Sequence, residues 1–157
     1  MKLFKHKNFQ LLSPVSGNAV SITETPDKVF SDKVLGDGVA VIPDKNEVVS
    51  PVDGTVVQIA RTLHAICIEA DNHAEILLHL GIDTVELNGE GFTCCVKKGE
   101  HVAAGQKLMD MDINFIKNKG YSTVSPCIIT NMDYVKDLNV ITGHAEAGKT
   151  VVITYQV

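Results

Sequence analysis

The chain has 157 residues, 45% apolar and 21% charged, with a formal charge of −5 and no tryptophan; it is one globular domain that needs no disulfide or structural metal to hold a core. No apolar run nears the roughly 18 residues of a transmembrane helix, no signal-peptide core follows Lys2, Lys5 and Lys7, and no basic stripe offsets the acidic balance. Stable membrane insertion, export and nucleic acid as a partner are thereby excluded, and a cytoplasmic location is expected.

Residues 1–10 form an expected flexible tail, in which Leu3, Phe4 and Phe9 among three lysines offer at most a short amphipathic turn on a membrane surface. Residues 11–157 are expected as a single domain, and its short margins predict a free-standing chain. Three segments share a Ser-Pro step before β-branched or small apolar residues: Ser13-Pro14-Val15, Ser50-Pro51-Val52 and Ser125-Pro126-Cys127. An extended residue before proline suits the start of a strand. Apolar-rich runs follow at Gly38–Ile42, Gly54–Ile59, Ala65–Ala70 and Glu75–Leu80, separated by Asp-Gly, Asn-Gly and Gly-rich turns, the spacing of an all-β sandwich or barrel. A second pair of related segments, His101 to Leu108 and His144 to Val151, places an Ala-Gly turn before a strand in each, so the chain reads as internally duplicated. Helical periodicity is confined to Asp112–Asn118 and Asn131–Leu138, with Asp112 and Asn131 as N-caps. The expected fold is all-β: a duplicated β-sandwich or barrel-sandwich hybrid of short, mostly antiparallel strands with two very short helices. The cysteines Cys67, Cys94, Cys95 and Cys127 form no C-x-x-C pair and read as small apolar fillers, with Cys94 and Cys95 on opposite sides of a strand.

Chemistry concentrates in Arg61–Glu69 and Glu75–Phe92. A hairpin brings His64 and His79 side by side. Along the second strand Ile76, Leu78 and Leu80 share one face, while Glu75, Leu77 and His79 share the other. The charge at Glu75 turns that second face outward, setting an imidazole beside an exposed Leu77, which suits a reactive group in an apolar docking patch. His64 shares parity with Ile66 and Ile68 but stands at the strand's first position, where alternation often fails. Both histidines remain open between a site and a satisfied polar group at a sheet end. His101 and His144 follow from duplication and read as structural; His6 falls in the tail and His73 in a polar loop.

The run His79-Leu-Gly-Ile-Asp-Thr-Val-Glu-Leu-Asn-Gly-Glu-Gly-Phe92 resembles the glucose-type IIA domains of the bacterial phosphoenolpyruvate-dependent sugar phosphotransferase system. Val29–Ala40, Ser50–Gly54, Thr62–Ala65 and Ile129–Asp133 resemble the same family in order and spacing, so the likeness spans residues 11 to 157. It implies that His79 is the residue phosphorylated on Nε2 by phospho-HPr. His64 is then the second histidine, which steadies the transferring group, and Thr62 the hydroxyl that orients it. It implies further that Asp27 and Asp83 line the docking face, that Val29, Phe30, Leu77 and Val85 form an apolar ring, and that the phosphoryl group passes to a IIB domain of a membrane sugar permease. Ala60 and Cys67 stand where the family often has an aromatic, which predicts a shallower patch.

The residues suit that role. Neutral imidazole is a good nucleophile near neutral pH, with one nitrogen attacking while the other is held. Phosphoryl transfer needs mostly positioning and charge stabilisation, so no cofactor or metal is expected. Two rivals come from other classes. His79-x-x-x-Asp83 also resembles the first motif of lysostaphin-type zinc peptidases, but the His-x-His pair that supplies their further ligand is absent from the sequence. Val96–Leu108 resembles a hairpin of lipoyl and biotinyl carrier domains, but the Ser-Pro-Val-Asp-Gly turn offers no lysine to modify.

Overall fold

The computed structural model describes residues 7–157. Strands β1 (Asn8–Leu12), β2 (Gly17–Ser21) and β3 (Asp37–Pro43) are followed by β4 (Glu47–Val49), β5 (Gly54–Ile59) and β6 (Ala65–Ala70). Then come β7 (Glu75–His79), β8 (Phe92–Cys94), β9 (His101–Val102) and β10 (Lys107–Met111), and finally β11 (Ser125–Ile129), β12 (Lys136–Val140), β13 (Gly143–Ala145) and β14 (Val151–Gln156). Two helices are short: α1 (Lys28–Ser31) between β2 and β3, and α2 (Ile113–Asn118) after β10. Asp27 starts α1 by accepting from the Val29 amide, and Asp112 starts α2 by accepting from the Phe115 amide.

The sheet orders read the same from both ends. An eight-stranded antiparallel sheet runs β13-β2-β3-β11-β7-β6-β5-β9, and two three-stranded sheets run β1-β14-β12 and β4-β10-β8. Strands β1–β3 thus correspond to β4–β6, and β11–β14 to β7–β10, about a pseudo-two-fold axis between β7 and β11. The duplication expected from the sequence is matched bond for bond at that axis. Leu12 N donates to Pro51 O at 2.9 Å while Val49 N donates to Pro14 O at 2.8 Å. The Ser13 hydroxyl donates to Val15 O and the Ser50 hydroxyl to Val52 O, each at 2.6 Å. The first two Ser-Pro steps therefore sit in bends between strands, and only the third lies within one, β11.

Inward residues such as Val39, Val41, Ile66, Ile68, Ile76, Leu78, Cys127 and Ile129 build the main core. Burying each aliphatic side chain contributes roughly 1.5–3 kcal/mol. A smaller cluster lies on the outer face of the eight-stranded sheet, where Ala40 and Ile128 alternate with inward neighbours and are capped by Ile22 and Phe30 from the β2–β3 connector and by Ile82. Cys127 is fully buried, and burial pushes its thiol up to about 12. Cys95 is exposed and fills nothing.

Three expectations change. Asn8, Phe9 and Gln10 are not tail: they pair with Gln156, Tyr155 and Thr154, and the Phe9 ring packs 5.8 Å from that of Tyr155. An amphipathic turn at the start of the chain falls on residues 1–6, outside the described residues, and Phe9 is committed elsewhere. Asn131–Leu138 is not a helix but a 3₁₀ turn, Met132–Tyr134, running into β12. Its Asn131 side chain makes no cap; it instead accepts from Glu75 N and donates to His73 O. Helix α1 was not expected, because its four residues are too few to show periodicity. No helix among the described residues is long and apolar enough to cross a membrane.

Candidate active site: two histidines on the outer face

His79 is the last residue of β7 and pairs with Ala65, the first of β6. The register puts Cys67 beside Leu77 and leaves Ile76, Leu78 and Leu80 facing the core, so the outward setting of His79 follows from strand parity as expected. His64 precedes β6, and parity alone would bury it with Ile66 and Ile68. Leu63 prevents this by adopting φ 60°, a left-handed conformation that turns the chain before the strand begins. The turn is tied down by Leu63 N to Ala60 O at 2.8 Å and Leu80 N to His64 O at 2.7 Å. Leu63 also packs against the main core, which helps to offset a conformation uncommon for leucine.

The two imidazoles consequently meet edge to face, with ring centroids 5.0 Å apart and planes at 81°. Their outer nitrogens differ in role because their inner ones differ in partner. His79 Nδ1 lies 2.7 Å from Gly81 O, and a carbonyl only accepts, so Nδ1 carries the proton and Nε2 keeps its lone pair. His64 Nδ1 lies 2.6 Å from the Thr62 hydroxyl; with that hydroxyl donating, the ring proton sits on Nε2. Burial lowers the pKa of His79, against the raising influence of its bond to Gly81 O and of Asp27 and Asp83. Burial and the neighbouring His79 lower that of His64. Both shifts favour the neutral imidazole.

The surroundings of the pair divide into support and rim. Phe30 does not line a docking surface as expected: it is 4% exposed and its ring lies 4.9 Å from the His79 ring, a packing partner behind the imidazole. Leu77 is likewise half-buried in the outer-face cluster rather than exposed, because the β2–β3 connector covers that part of the sheet. Val29 and Val85 are exposed at 42% and 44%, as a rim requires, and the connector also exposes Val34 and Leu35, which the sequence reading missed. Asp27 and Asp83 both lie near enough to His79 to act on its charge. Gly81, Thr84 and Ser125 were missed too. Gly81 lay in plain view within the recognised run, but the partner of its amide, Ser125, lies 44 residues away.

Neither histidine lines the cavity of about 490 Å³ formed by residues including Ser16, Asp44 and His144. The pair instead faces an open surface, as contact with a large partner requires. No three His, Cys, Asp or Glu side chains among the described residues stand close enough to hold a metal ion. The ligand set of a zinc peptidase is not assembled here.

Residues 9–135 match the family described as the phosphoenolpyruvate-dependent sugar phosphotransferase system, EIIA 1. The glucose-specific EIIA component of Oceanobacillus iheyensis is 45% identical over 148 residues, covering 94% of this chain and 90% of that protein. The N-acetylglucosamine-specific EIICBA component of Escherichia coli is 43% identical over 142 residues, which are 90% of this chain but 22% of that larger protein. In three dimensions the chain superposes on glucose permease IIA from Mycoplasma capricolum with a TM-score of 0.89 and 38% identity, covering 98% of this chain and 99% of the other. The chain belongs to this EIIA family and is a phosphoryl carrier of the sugar phosphotransferase system.

Proposed function

We propose, from membership of that family, that His79 takes a phosphoryl group on Nε2 from phospho-HPr and yields it to the IIB component of a membrane sugar permease. The reading is supported above all by the bond from His79 Nδ1 to Gly81 O, which leaves Nε2 as the nucleophile. Its lone pair forms the new N–P bond while the donor's N–P bond breaks and the donor imidazole keeps the electron pair. His64, held by Thr62, directs its Nε2–H at the phosphoryl oxygens, where negative charge gathers in the transition state. Val29 and Val85 at the rim keep water from the N–P bond, while Phe30 supports the ring from behind and Asp27 and Asp83 present negative charge to a basic partner and speed encounter.

Because the protein is itself phosphorylated and dephosphorylated each cycle, it acts as a phosphotransferase component, not as a catalyst acting on sugar. Relatives at 43–45% identity bear the names of different sugars, which supports a reading in which this chain carries the phosphoryl group and the membrane partner selects the sugar. Intact mass after incubation with phosphoenolpyruvate, enzyme I and HPr tests the reading. One acid-labile phosphoryl group is expected on the wild type and none on His79→Ala. His64→Ala is expected to accept phosphate but to lose transfer to IIB. Histidine labelling of His79→Ala would refute the assignment.

A further inference from the structure

His79 is only as specific as the carbonyl that holds it, and that carbonyl belongs to a residue with unusual backbone demands. Gly81 has φ +80°, and a Cβ there would lie 2.6 Å from Thr84 Cγ2 and 2.8 Å from Ser122 O. Without a side chain, Gly81 keeps its orientation through its surroundings. Its amide donates to Ser125 Oγ at 3.2 Å. The Ser125 hydroxyl is 1% exposed and spends its own proton on Thr123 O at 2.9 Å, so toward Gly81 it acts purely as an acceptor. On either side of this bond, Thr84 Oγ1 donates to Leu80 O at 2.6 Å and Ile82 N donates to Ser122 O at 3.0 Å.

We propose that Ser125 is a positioning residue for phosphoryl transfer, selecting which nitrogen of His79 is the nucleophile. This rests on the assignment of His79 as phosphoryl acceptor. A buried amide without an acceptor is costly, and Gly81 has two freely accessible backbone hands. Loss of the Ser125 oxygen leaves the Gly81 amide unpaired and favours a re-seating of the 80–82 turn. The Gly81 carbonyl shares its peptide plane with Ile82 N, so it leaves Nδ1 as far as that turn shifts against the Ile82 N–Ser122 O bond, and the shift frees the imidazole to carry its proton on Nε2, where no lone pair is left to attack phosphorus. The chain of contacts runs from a serine at the start of β11, through a glycine, to the reacting ring, and Ser125 never touches phosphate.

The test compares wild type, Ser125→Ala and Ser125→Thr, each ¹⁵N-labelled at histidine, by long-range ¹H–¹⁵N correlation of the imidazoles and by phosphorylation rate with HPr. Wild-type His79 is expected as one tautomer protonated on Nδ1. Ser125→Ala should show a second, Nε2-protonated population and a rate lower by about tenfold, with the His64 ring unchanged, and Ser125→Thr should restore both. A single Nδ1-protonated ring in Ser125→Ala overturns the proposal, even if the rate falls, since that result is a structural effect alone. So does a threonine variant that behaves as the alanine one. The ring measurement needs no phosphate, so failure of the acceptor assignment, an unphosphorylated wild type, is told apart from failure of this proposal.

Discussion

Gly81→Ala perturbs the site at the point where backbone strain and steric conflict add. Alanine at φ +80° costs about 1–2 kcal/mol from the left-handed conformation alone. The new Cβ would also stand 2.6 Å from Thr84 Cγ2 and 2.8 Å from a backbone oxygen, Ser122 O, and relieving such overlap in a packed interior costs about 1–3 kcal/mol more. Gly99→Ala separates the two effects, since Gly99 has φ +91° but nothing within 4 Å of its built Cβ, so only the first cost applies. Urea unfolding of both variants should give a loss of about 2–5 kcal/mol at Gly81 and about 1–2 kcal/mol at Gly99. In a chain of this size each kcal/mol lowers Tm by about 2–4 °C. Phosphorylation by HPr should fall in Gly81→Ala, because the carbonyl that holds His79 moves with its residue, and stay at the wild-type rate in Gly99→Ala. Equal stability losses in the two variants, or a fully active Gly81→Ala, would refute the claim that the His79 loop is sterically locked.

Stability should fall as pH drops below 6.5. Both active-site imidazoles have folded pKa values below their ordinary 6.5, so between those values the unfolded chain binds more protons; their contribution is complete above 6.5 and is lost as pH falls toward the folded values. The urea midpoint should therefore drop more steeply between about pH 7.5 and 5.5 in the wild type than in a His64→Gln, His79→Gln double variant, and parallel curves would contradict the lowered values. Leu63→Val should cost about 1–2 kcal/mol, since a β-branched residue is ill suited to φ 60°, and should slow transfer to IIB more than acceptance from HPr. Leu63→Asn, which tolerates that conformation, should keep both transfers near wild type; thermal melts and the two transfer rates decide.

Strand parity made the outward face of His79 legible, and the alternation of Ile76, Leu78 and Leu80 with Leu77 is what the structure contains. His64 was not legible the same way, because its orientation depends on one backbone angle at Leu63, and leucine carries no sequence signal for left-handed backbone. Thr62 became identifiable only through family likeness, although its 2.6 Å contact with His64 Nδ1 needs nothing but a two-residue turn. Phe30 and Leu77 were misplaced on the two sides of one contact, Phe30 on the connector that covers the outer face and Leu77 on the strand beneath it. Pattern along a strand reports which face a residue is on, but not whether a distant connector covers that face. The strand β12 was missed because its partner, β14, completes the pairing from the end of the chain, and local periodicity carries no trace of such a neighbour.

Duplication explains where the site lies and why there is one site, not two. With Gly17 matched to Gly54, the registers make Gly38 equivalent to Ala65, and therefore Ile128 equivalent to His79. Ile128 is 1% exposed, beneath the cluster that Ile22 and Phe30 cap. The connector that supplies those two residues runs from 22 to 36, while its counterpart between β5 and β6 has only residues 60–64. The long connector crosses the outer face, seals its own half and reaches the His79 ring with Phe30. The short one cannot cross, so the outer face of β6 and β7 stays open, and its five residues serve to deliver Thr62 and His64 to the edge of that opening. An apolar residue belongs at the covered position and a titratable one at the open position, as Ile128 and His79 are. Unequal connectors on equal halves thus convert a symmetric scaffold into a single surface with a buttressed nucleophile, and shortening the β2–β3 connector is expected to expose Ile128 and release His79 together.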